Sequence, residues 1–389
     1  MQHSRRHDVV WTLLQPLARL ILWIKFRYTA KVNDIKGPCL VLSNHNTDLD
    51  PLMVAVAFKH QMHFVASEHI FRQGFVSKLL MWLQAPIARQ KGGSAAGTVK
   101  TMIRTVRDGH SVGLFPEGNR SWDGVTHEVT PSTGKLAKTC GGTLVTFRLK
   151  GGYFASPRWA GTRSRRGRCT GEVVGVYTPE QIKTMSVSEI NDVIRRDLYE
   201  DAYEAQKAAP VRFKGSRLAE NLETLLFVCP ECGKMHTLRS EGDRFFCTSC
   251  GMELKFTEAG FFEGEKLRFD NIRDWNEWQN ERIRELCDGS GDEAIFTDDE
   301  IELREIHTAE SAKVIARGSL TLYRDRLVLP DGREIRLENI SGMALRGPVN
   351  LFIGTSEGES FEARPQKVRN TLKYLTACTM LGCPVEFGI

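Results

Sequence analysis

Several features are missing from this 389-residue chain, and each absence narrows the choice. No segment is low in complexity or dominated by one polar residue type, so no part of it reads as disordered. The net charge is only +5, which argues for neither a nucleic-acid binder nor an acidic partner. Apolar runs are broken before they reach the roughly 18 residues that a clean membrane span needs. The nearest case, RRHDVVWTLLQPLARLILWIKFRY, is interrupted by Gln15, Pro16 and Arg19. No small-residue cleavage site follows it, so a signal peptide is not expected. A secreted disulfide framework is absent as well. Of ten cysteines, four form two C-x-x-C pairs, and Cys39, Cys140, Cys169, Cys287, Cys378 and Cys383 are scattered. A reducing compartment fits that usage.

What is present is a folded composition, 41% hydrophobic and 26% charged, in a chain long enough for two or three domains. In the N-terminal stretch, Thr12, Gln15 and Arg19 fall three and four apart on one helical stripe. Val10, Leu13, Leu14, Leu17, Leu20, Ile21 and Ile24 fill the rest, with Trp11 and Trp23 among them and Lys25 and Arg27 at the end. The pattern predicts a helix over residues 1–28 lying in a membrane interface, attached peripherally or monotopically at the cytoplasmic face. A second basic feature is SPRWAGTRSRRGR, in which Arg158, Arg163, Arg165, Arg166 and Arg168 occur without an acid. Such a run suits phosphate or anionic lipid headgroups, although a solvated loop would look the same.

Strands and helices then alternate. GPCLVLSNH predicts a buried strand over Cys39 to Leu42, PLMVAVAFK a helix and MHFVAS a second strand. FVSKLLMWLQ has helical spacing, APIARQKGGS is a short strand with a Gly-rich loop, and AAGTVKTMIRTVRDGH is a helix ending at Gly109. SVGLFPEG and GGTLVTFRL are further apolar strands. This order predicts an α/β domain with a largely parallel sheet, placed at 29–220. A small cysteine module follows at 225–256, then a helical linker at 262–290. From about residue 293 short alternating strands separated by PDG and SEGE turns lead to a C-terminal helix near Lys367 to Met380. That patterning over 293–389 resembles a pleckstrin-homology (PH) or GRAM-like β-rich barrel.

Two short stretches carry the chemistry. LSNHNTDLDP places His45 directly after a strand, where open α/β sheets hold their ligands. Asn, Asp, Thr and Pro are ordinary turn residues, but a turn that folds back would bring Asp50 to one imidazole nitrogen. The other nitrogen is then free to take a proton from a substrate hydroxyl. Asp48 is the competing carboxylate, and its two-residue offset from Asp50 points it elsewhere. LFPEGNRSWDG places Glu117, Gly118 and Arg120 at the end of another strand, where a turn exposes amides and the guanidinium suits phosphate. APIARQKGG adds Arg89 and Lys91.

NHNTDLDP, PIARQ and FPEGNRS in that order resemble the glycerolipid acyltransferase family typified by 1-acylglycerol-3-phosphate acyltransferases, over about residues 10 to 175. The resemblance implies His45 as general base with Asp50 as its partner. It implies Asn44, Arg89, Glu117, Gly118 and Arg120 as binders of the phosphate-bearing acceptor. Acyl-CoA or acyl-carrier protein would be the donor and a lysophospholipid the acceptor, 1-acylglycerol-3-phosphate giving phosphatidic acid, with membrane lipid as a further partner. Asn119 stands where the family has Thr, and the family's fourth block is replaced by LVTFRLKGGYFASPRW, which leaves the donor and headgroup open. Alternatives are a lysophospholipid-remodelling acyltransferase with another acceptor and a non-catalytic membrane-docked scaffold.

The remaining signal is Cys229-x2-Cys232, fourteen residues, then Cys247-x2-Cys250, the spacing of a zinc ribbon. Glycine follows the second cysteine of each pair, as a knuckle turn needs. Four thiolates leave no open coordination position, so the zinc is expected to be structural. His236 is expected at the surface. Few aromatic or basic residues interleave with the cysteines, so no nucleic-acid partner is expected.

Overall fold

The computed structural model describes residues 5–67, 86–89, 95–306, 312–347, 349–366 and 370–383. The chain forms two compact units. One comprises Met1–Pro157 and Ser164–Lys214, the other Arg158–Arg163 and Gly215–Gly388.

The first unit opens with helix α1 (Arg5–Phe26) and is built on a seven-stranded sheet. Its strands are β1 (Thr29–Ala30), β2 (Cys39–Ser43), β3 (Met62–Ser67), β4 (Ile87–Arg89), β5 (Ser111–Leu114), β6 (Thr143–Lys150) and β7 (Thr170–Tyr177). Their order is β1-β7-β6-β2-β5-β3-β4, and every neighbouring pair is parallel except β6 with β7. The expected largely parallel sheet is therefore present. Strand β2 lies at its centre and is buried at all five positions, so it reads as a continuous apolar run rather than an alternation. The parallel strands β2 to β6 bring their C-terminal ends to one edge, the edge where His45 and the FPEG turn emerge.

Helices pack on the sheet. Helix α2 (Asp50–Ala55) follows β2, and α3 (Ala95–Arg107) leads to β5, stopping before Gly109 with Arg104 and Arg107 in its last turn. Helix α4 (Ser132–Cys140) precedes β6, and the short α5 (Gly152–Ala155) follows it. After β7 come α6 (Pro179–Thr184), α7 (Val187–Leu198) and α8 (Ala202–Ala208). Capping boxes Thr178/Gln181 and Ser186/Glu189 fix where α6 and α7 begin. Leu40, Leu42, Val112, Leu114 and Leu144 from the sheet meet Met102, Val106, Leu136, Ile190 and Ile194 from α3, α4 and α7 in one core. The expected helix FVSKLLMWLQ and the basic residue Lys91 lie outside the described residues.

In the second unit, β8 (Leu238–Glu241), β9 (Arg244–Cys247), β10 (Glu253–Phe256) and β11 (Phe262–Glu263) form a four-stranded sheet next in sequence to helix α9 (Ile272–Gly289). Asn271 opens α9 by accepting the Asp274 amide with its side chain. Seven antiparallel strands follow: β12 (Phe296–Ile306), β13 (Ala312–Leu322), β14 (Arg326–Val328), β15 (Glu334–Arg336), β16 (Ile340–Arg346), β17 (Asn350–Thr355) and β18 (Ser360–Pro365). They are ordered β15-β14-β13-β12-β18-β17-β16. Helix α10 (Leu372–Met380) comes last, beginning later than the sequence pattern suggested. Ile301, Leu303, Leu320, Leu351, Ile353 and Phe361 are buried along alternate positions and make the core of this sheet.

Candidate functional site

Helix α1 reverses the usual arrangement of a surface helix. Leu13 is 73% exposed, and Val9, Leu17, Leu20, Ile21, Trp23 and Ile24 are also exposed, while Trp11, Leu22 and Phe26 are buried. Of the polar stripe, Gln15 and Arg19 face inward while Thr12 is exposed. Gln15 Nε2 donates to the carbonyls of Val56 (3.1 Å) and Phe58 (2.8 Å), and Arg19 donates to Val56 (3.3 Å) and Ala30 (2.9 Å). The helix is long and apolar enough to cross a membrane by length and composition. From the arginine run, Arg166 and Arg168 are exposed and Arg165 is buried. Arg166 lies over the Trp23 ring at 5.6 Å and donates to the Ile24 carbonyl at 2.8 Å.

At the C-terminal end of β2, the turn folds back as the spacing predicts. Asp50 is fully buried, and its Oδ2 lies 2.9 Å from His45 Nδ1. The same oxygen accepts the amides of Asn46 (2.5 Å) and Thr47 (2.8 Å), and Oδ1 accepts the Thr47 hydroxyl (2.7 Å). This set of donors holds the carboxyl group in one orientation. With Asp50 on Nδ1, the imidazole carries its hydrogen there, and Nε2 is left as the acceptor. The His45 ring stacks on Phe115 with centroids 4.4 Å apart. Asp48, by contrast, is 80% exposed and lies 3.1 Å from the Arg120 guanidinium.

The FPEG turn grips His45 from the opposite side. Glu117 Oε1 accepts the His45 amide at 2.6 Å, and its Oε2 accepts the His127 amide at 2.7 Å. The Ser121 amide donates to the His45 carbonyl at 2.9 Å. Burial pushes the Glu117 carboxyl up to about 8, against the downward pull of those two amides. Gly118 takes φ +73°, in the left-handed region open to glycine, and its amide closes the turn onto Phe115.

Two residues expected to bind the acceptor hydrogen-bond to backbone instead. Asn44 is buried and uses both ends of its amide on Leu149, donating to the carbonyl at 2.9 Å and accepting the amide at 2.7 Å. It ties β2 to β6. Glu117 has both oxygens on backbone amides, and a buried carboxyl is a poor neighbour for a phosphate. Its place is to hold the His45 turn. Gly118 shapes the same turn. Arg120 remains on the rim, only 15% exposed at the side chain. Arg89 ends β4 on the same edge of the sheet, and its side chain lies outside the described residues. Thr47 and Phe115 were missed in the sequence, although both sit inside the quoted motifs.

The family model named Acyltransferase matches residues 24–150. The match falls within the first unit and covers about a third of the chain. The match contains His45, Asp50 and the whole FPEG turn. A 1-acyl-sn-glycerol-3-phosphate acyltransferase of Borreliella burgdorferi is 27% identical over 143 residues, which is 35% of this chain and 57% of that protein. Another from Bacillus subtilis is 26% identical over 88 residues, covering 22% of this chain and 43% of that protein. The chain thus spans about half the length of the curated relatives it matches. The crystal structure of a 1-acyl-sn-glycerophosphate acyltransferase from Thermotoga maritima aligns with 54% of this chain and 85% of that one, at 17% identity and a TM-score of 0.42.

The second unit holds the cysteine cluster. The sulfurs of Cys229, Cys232, Cys247 and Cys250 all lie within 4.8 Å of one another. Cys229 and Cys250 are 3.7 Å apart, and Cys232 and Cys247 3.8 Å. A disulfide would need about 2 Å. Four ligands at about 2.3 Å around a tetrahedral ion sit about 3.8 Å apart, so the donor set fits zinc. Gly233 and Gly251 both take left-handed φ and return their amides to the Cys229 and Cys247 carbonyls, so the two knuckles are alike. His236 is exposed, as expected, with its side chain 41% accessible and Nε2 2.9 Å from Lys373 Nζ.

Proposed function

We propose that the chain transfers a fatty acyl group from acyl-CoA or acyl-carrier protein to the free hydroxyl of a lysophospholipid, with 1-acylglycerol-3-phosphate as the acceptor. The observation that carries this reading is the His45–Asp50 pair at 2.9 Å, gripped on its far side by the FPEG turn. His45 Nε2 takes the proton of the acceptor hydroxyl as its oxygen attacks the thioester carbonyl. The tetrahedral oxyanion collapses, the carbon–sulfur bond breaks, and the thiolate leaves with the proton returned from His45. Asp50 holds the imidazole in the required tautomer and balances its charge while the proton is aboard. Arg120 and Arg89 are assigned to the acceptor phosphate.

The exposed face of α1 supports attachment to a membrane surface, because each Leu or Ile taken fully out of water contributes about 1.5–3 kcal/mol, and the cytoplasmic side is the one proposed. The cysteine cluster is assigned a structural zinc, which when bound would cross-link the two knuckles through Cys229, Cys232, Cys247 and Cys250. The antiparallel sheet with its closing helix is read as PH/GRAM-like.

The test is a panel of lysophospholipid acceptors with acyl-CoA and acyl-carrier protein, using the full chain on vesicles. Transfer is expected to be lost in His45→Ala with the melting temperature unchanged. Transfer retained in that variant would overturn the assignment. Vesicle binding without turnover on any acceptor would favour a scaffold.

A further inference from the structure

The last carbonyls of an α-helix have no partner within it and must find donors elsewhere. In α2, which opens with Asp50, and the turn of residues 56–58 that follows it, the carbonyls of Leu52, Val54 and Ala55 are closed by the amides of Val56, Ala57 and Phe58. Those of Met53, Val56, Ala57 and Phe58 are left over. All four are taken by one stretch of chain, residues 15–33. The Tyr28 hydroxyl donates to Met53 at 2.8 Å in a buried contact. Gln15 and Arg19 donate to Val56, and Gln15 also to Phe58. The Asn33 amide donates to Ala57 at 2.8 Å. Arg19 also places a cation at the negative end of this helix.

One helix thus has two faces with different duties. Val9, Leu13, Leu17, Leu20, Ile21, Trp23 and Ile24 of α1 are exposed, while its Gln15 and Arg19 donate to carbonyls at the C-terminal end of α2. Asp50 sits at the opposite end of that helix, with its Oδ2 shared by three donors, so a shift of α2 moves the carboxylate relative to His45 Nδ1. We propose that Gln15, Arg19 and Tyr28 are positioning residues for the His45–Asp50 pair, through which the membrane-facing helix braces the helix that carries Asp50. This rests on the acyltransferase reading for its kinetic consequence, but the bracing itself does not.

The test uses the full chain with Gln15→Met, Arg19→Met, Arg19→Lys and Tyr28→Phe. None of these touches the exposed apolar residues, so the vesicle-bound fraction stays as in the parent. Arg19→Met lowers kcat by about tenfold or more, as small misplacements of reacting groups do, while KM for acceptor and donor stays within about twofold. Arg19→Lys, which keeps a charged donor, recovers most of the loss. Tyr28→Phe keeps the ring in place and gives the same split if Arg19→Met fails to fold. Amide hydrogen exchange supplies a readout independent of turnover: residues 50–58 exchange faster in Arg19→Met, while β5 and β6 do not change. Unchanged exchange over 50–58 overturns the proposal, and so does an unchanged kcat. A loss of kcat that tracks loss of vesicle binding overturns it too. If the parent turns over no acceptor, the acyltransferase reading fails, and the exchange measurement still decides the bracing.

Discussion

His45 Nδ1 lies 2.9 Å from Asp50 Oδ2, while Asp48, two residues nearer in sequence, faces Arg120 at 3.1 Å. The turn therefore divides its two carboxylates between two duties. Replacing Asp50 with Asn keeps the shape but offers the imidazole an amide in place of the acceptor. Acyl transfer is expected to fall by about a thousandfold or more, the scale seen when the orienting carboxylate of such a pair is neutralised. Asp48→Asn removes an exposed ion pair worth at most about 1 kcal/mol, or about fivefold. Steady-state kinetics on the two variants checks this, and equal losses would reverse the assignment.

Glu117 and Glu200 give the first unit an unusual dependence on pH. Burial pushes Glu117 up to about 8 and Glu200 up to about 7, from an ordinary 4.5, and Glu200 Oε1 is buried without a hydrogen bond among the described residues. Both carboxyls hold their protons more tightly folded than unfolded. Their stabilising contribution is full below about 4.5 and is lost as pH rises toward 7 and 8. Melting temperature is expected to fall across that window, by ~2–4 °C for each kcal/mol lost. Glu200→Gln, uncharged at any pH, should flatten the slope. A slope unaltered by that change would exclude Glu200 as a source.

The His–Asp pairing was legible because both partners lie on one turn, where five residues and their hydrogen-bonding habits settle the geometry. So was the parallel sheet, through its alternating strands and helices. What escaped notice depends on partners far away in the chain. Asn44 meets Leu149, 105 residues on, and Glu117 meets His45, 72 residues back, through the order of strands in the sheet. A motif gives the residue type and its position at a strand end, but not whether the side chain faces substrate or backbone. The stripe of Gln15 and Arg19 misled in a related way. Polar spacing on a helix looks the same whether it faces water or a row of orphaned carbonyls.

Lys373 on α10 makes the same point in the second unit and can be tested by a double-mutant cycle. It is fully buried, with Nζ 2.8 Å from Asp298 Oδ1 and the rings of Phe296 and Tyr374 within 5.3 Å. Burial holds its ammonium below the ordinary lysine range, while Asp298 pulls it back up. Lys373→Met leaves Asp298 buried without its cation and should cost about 3–5 kcal/mol in denaturant unfolding. Adding Asp298→Leu should restore most of that loss, since a buried pair replaced by apolar groups is close to neutral. If the double variant is as unstable as the sum of the singles, the two residues are not coupled.

The cysteine cluster has a built-in reporter. Trp275 on α9 is buried and donates its indole hydrogen to the Val228 carbonyl at 3.0 Å, one residue before Cys229. It also packs against Phe245 and Phe262 of the four-stranded sheet, with ring centroids 5.6 and 5.5 Å away. If the proposed zinc cross-links the two knuckles, removing it should free the segment around Cys229. We expect about one zinc per chain by metal analysis, and strong chelators should shift Trp275 emission to longer wavelength as water reaches the ring. Trp275→Phe should abolish that shift without altering metal content. Cys247→Ser should reproduce the shift with no chelator present, because three thiolates leave the site incomplete. A chain that carries no zinc, or whose emission ignores chelation, would show that packing alone holds the sulfurs in place.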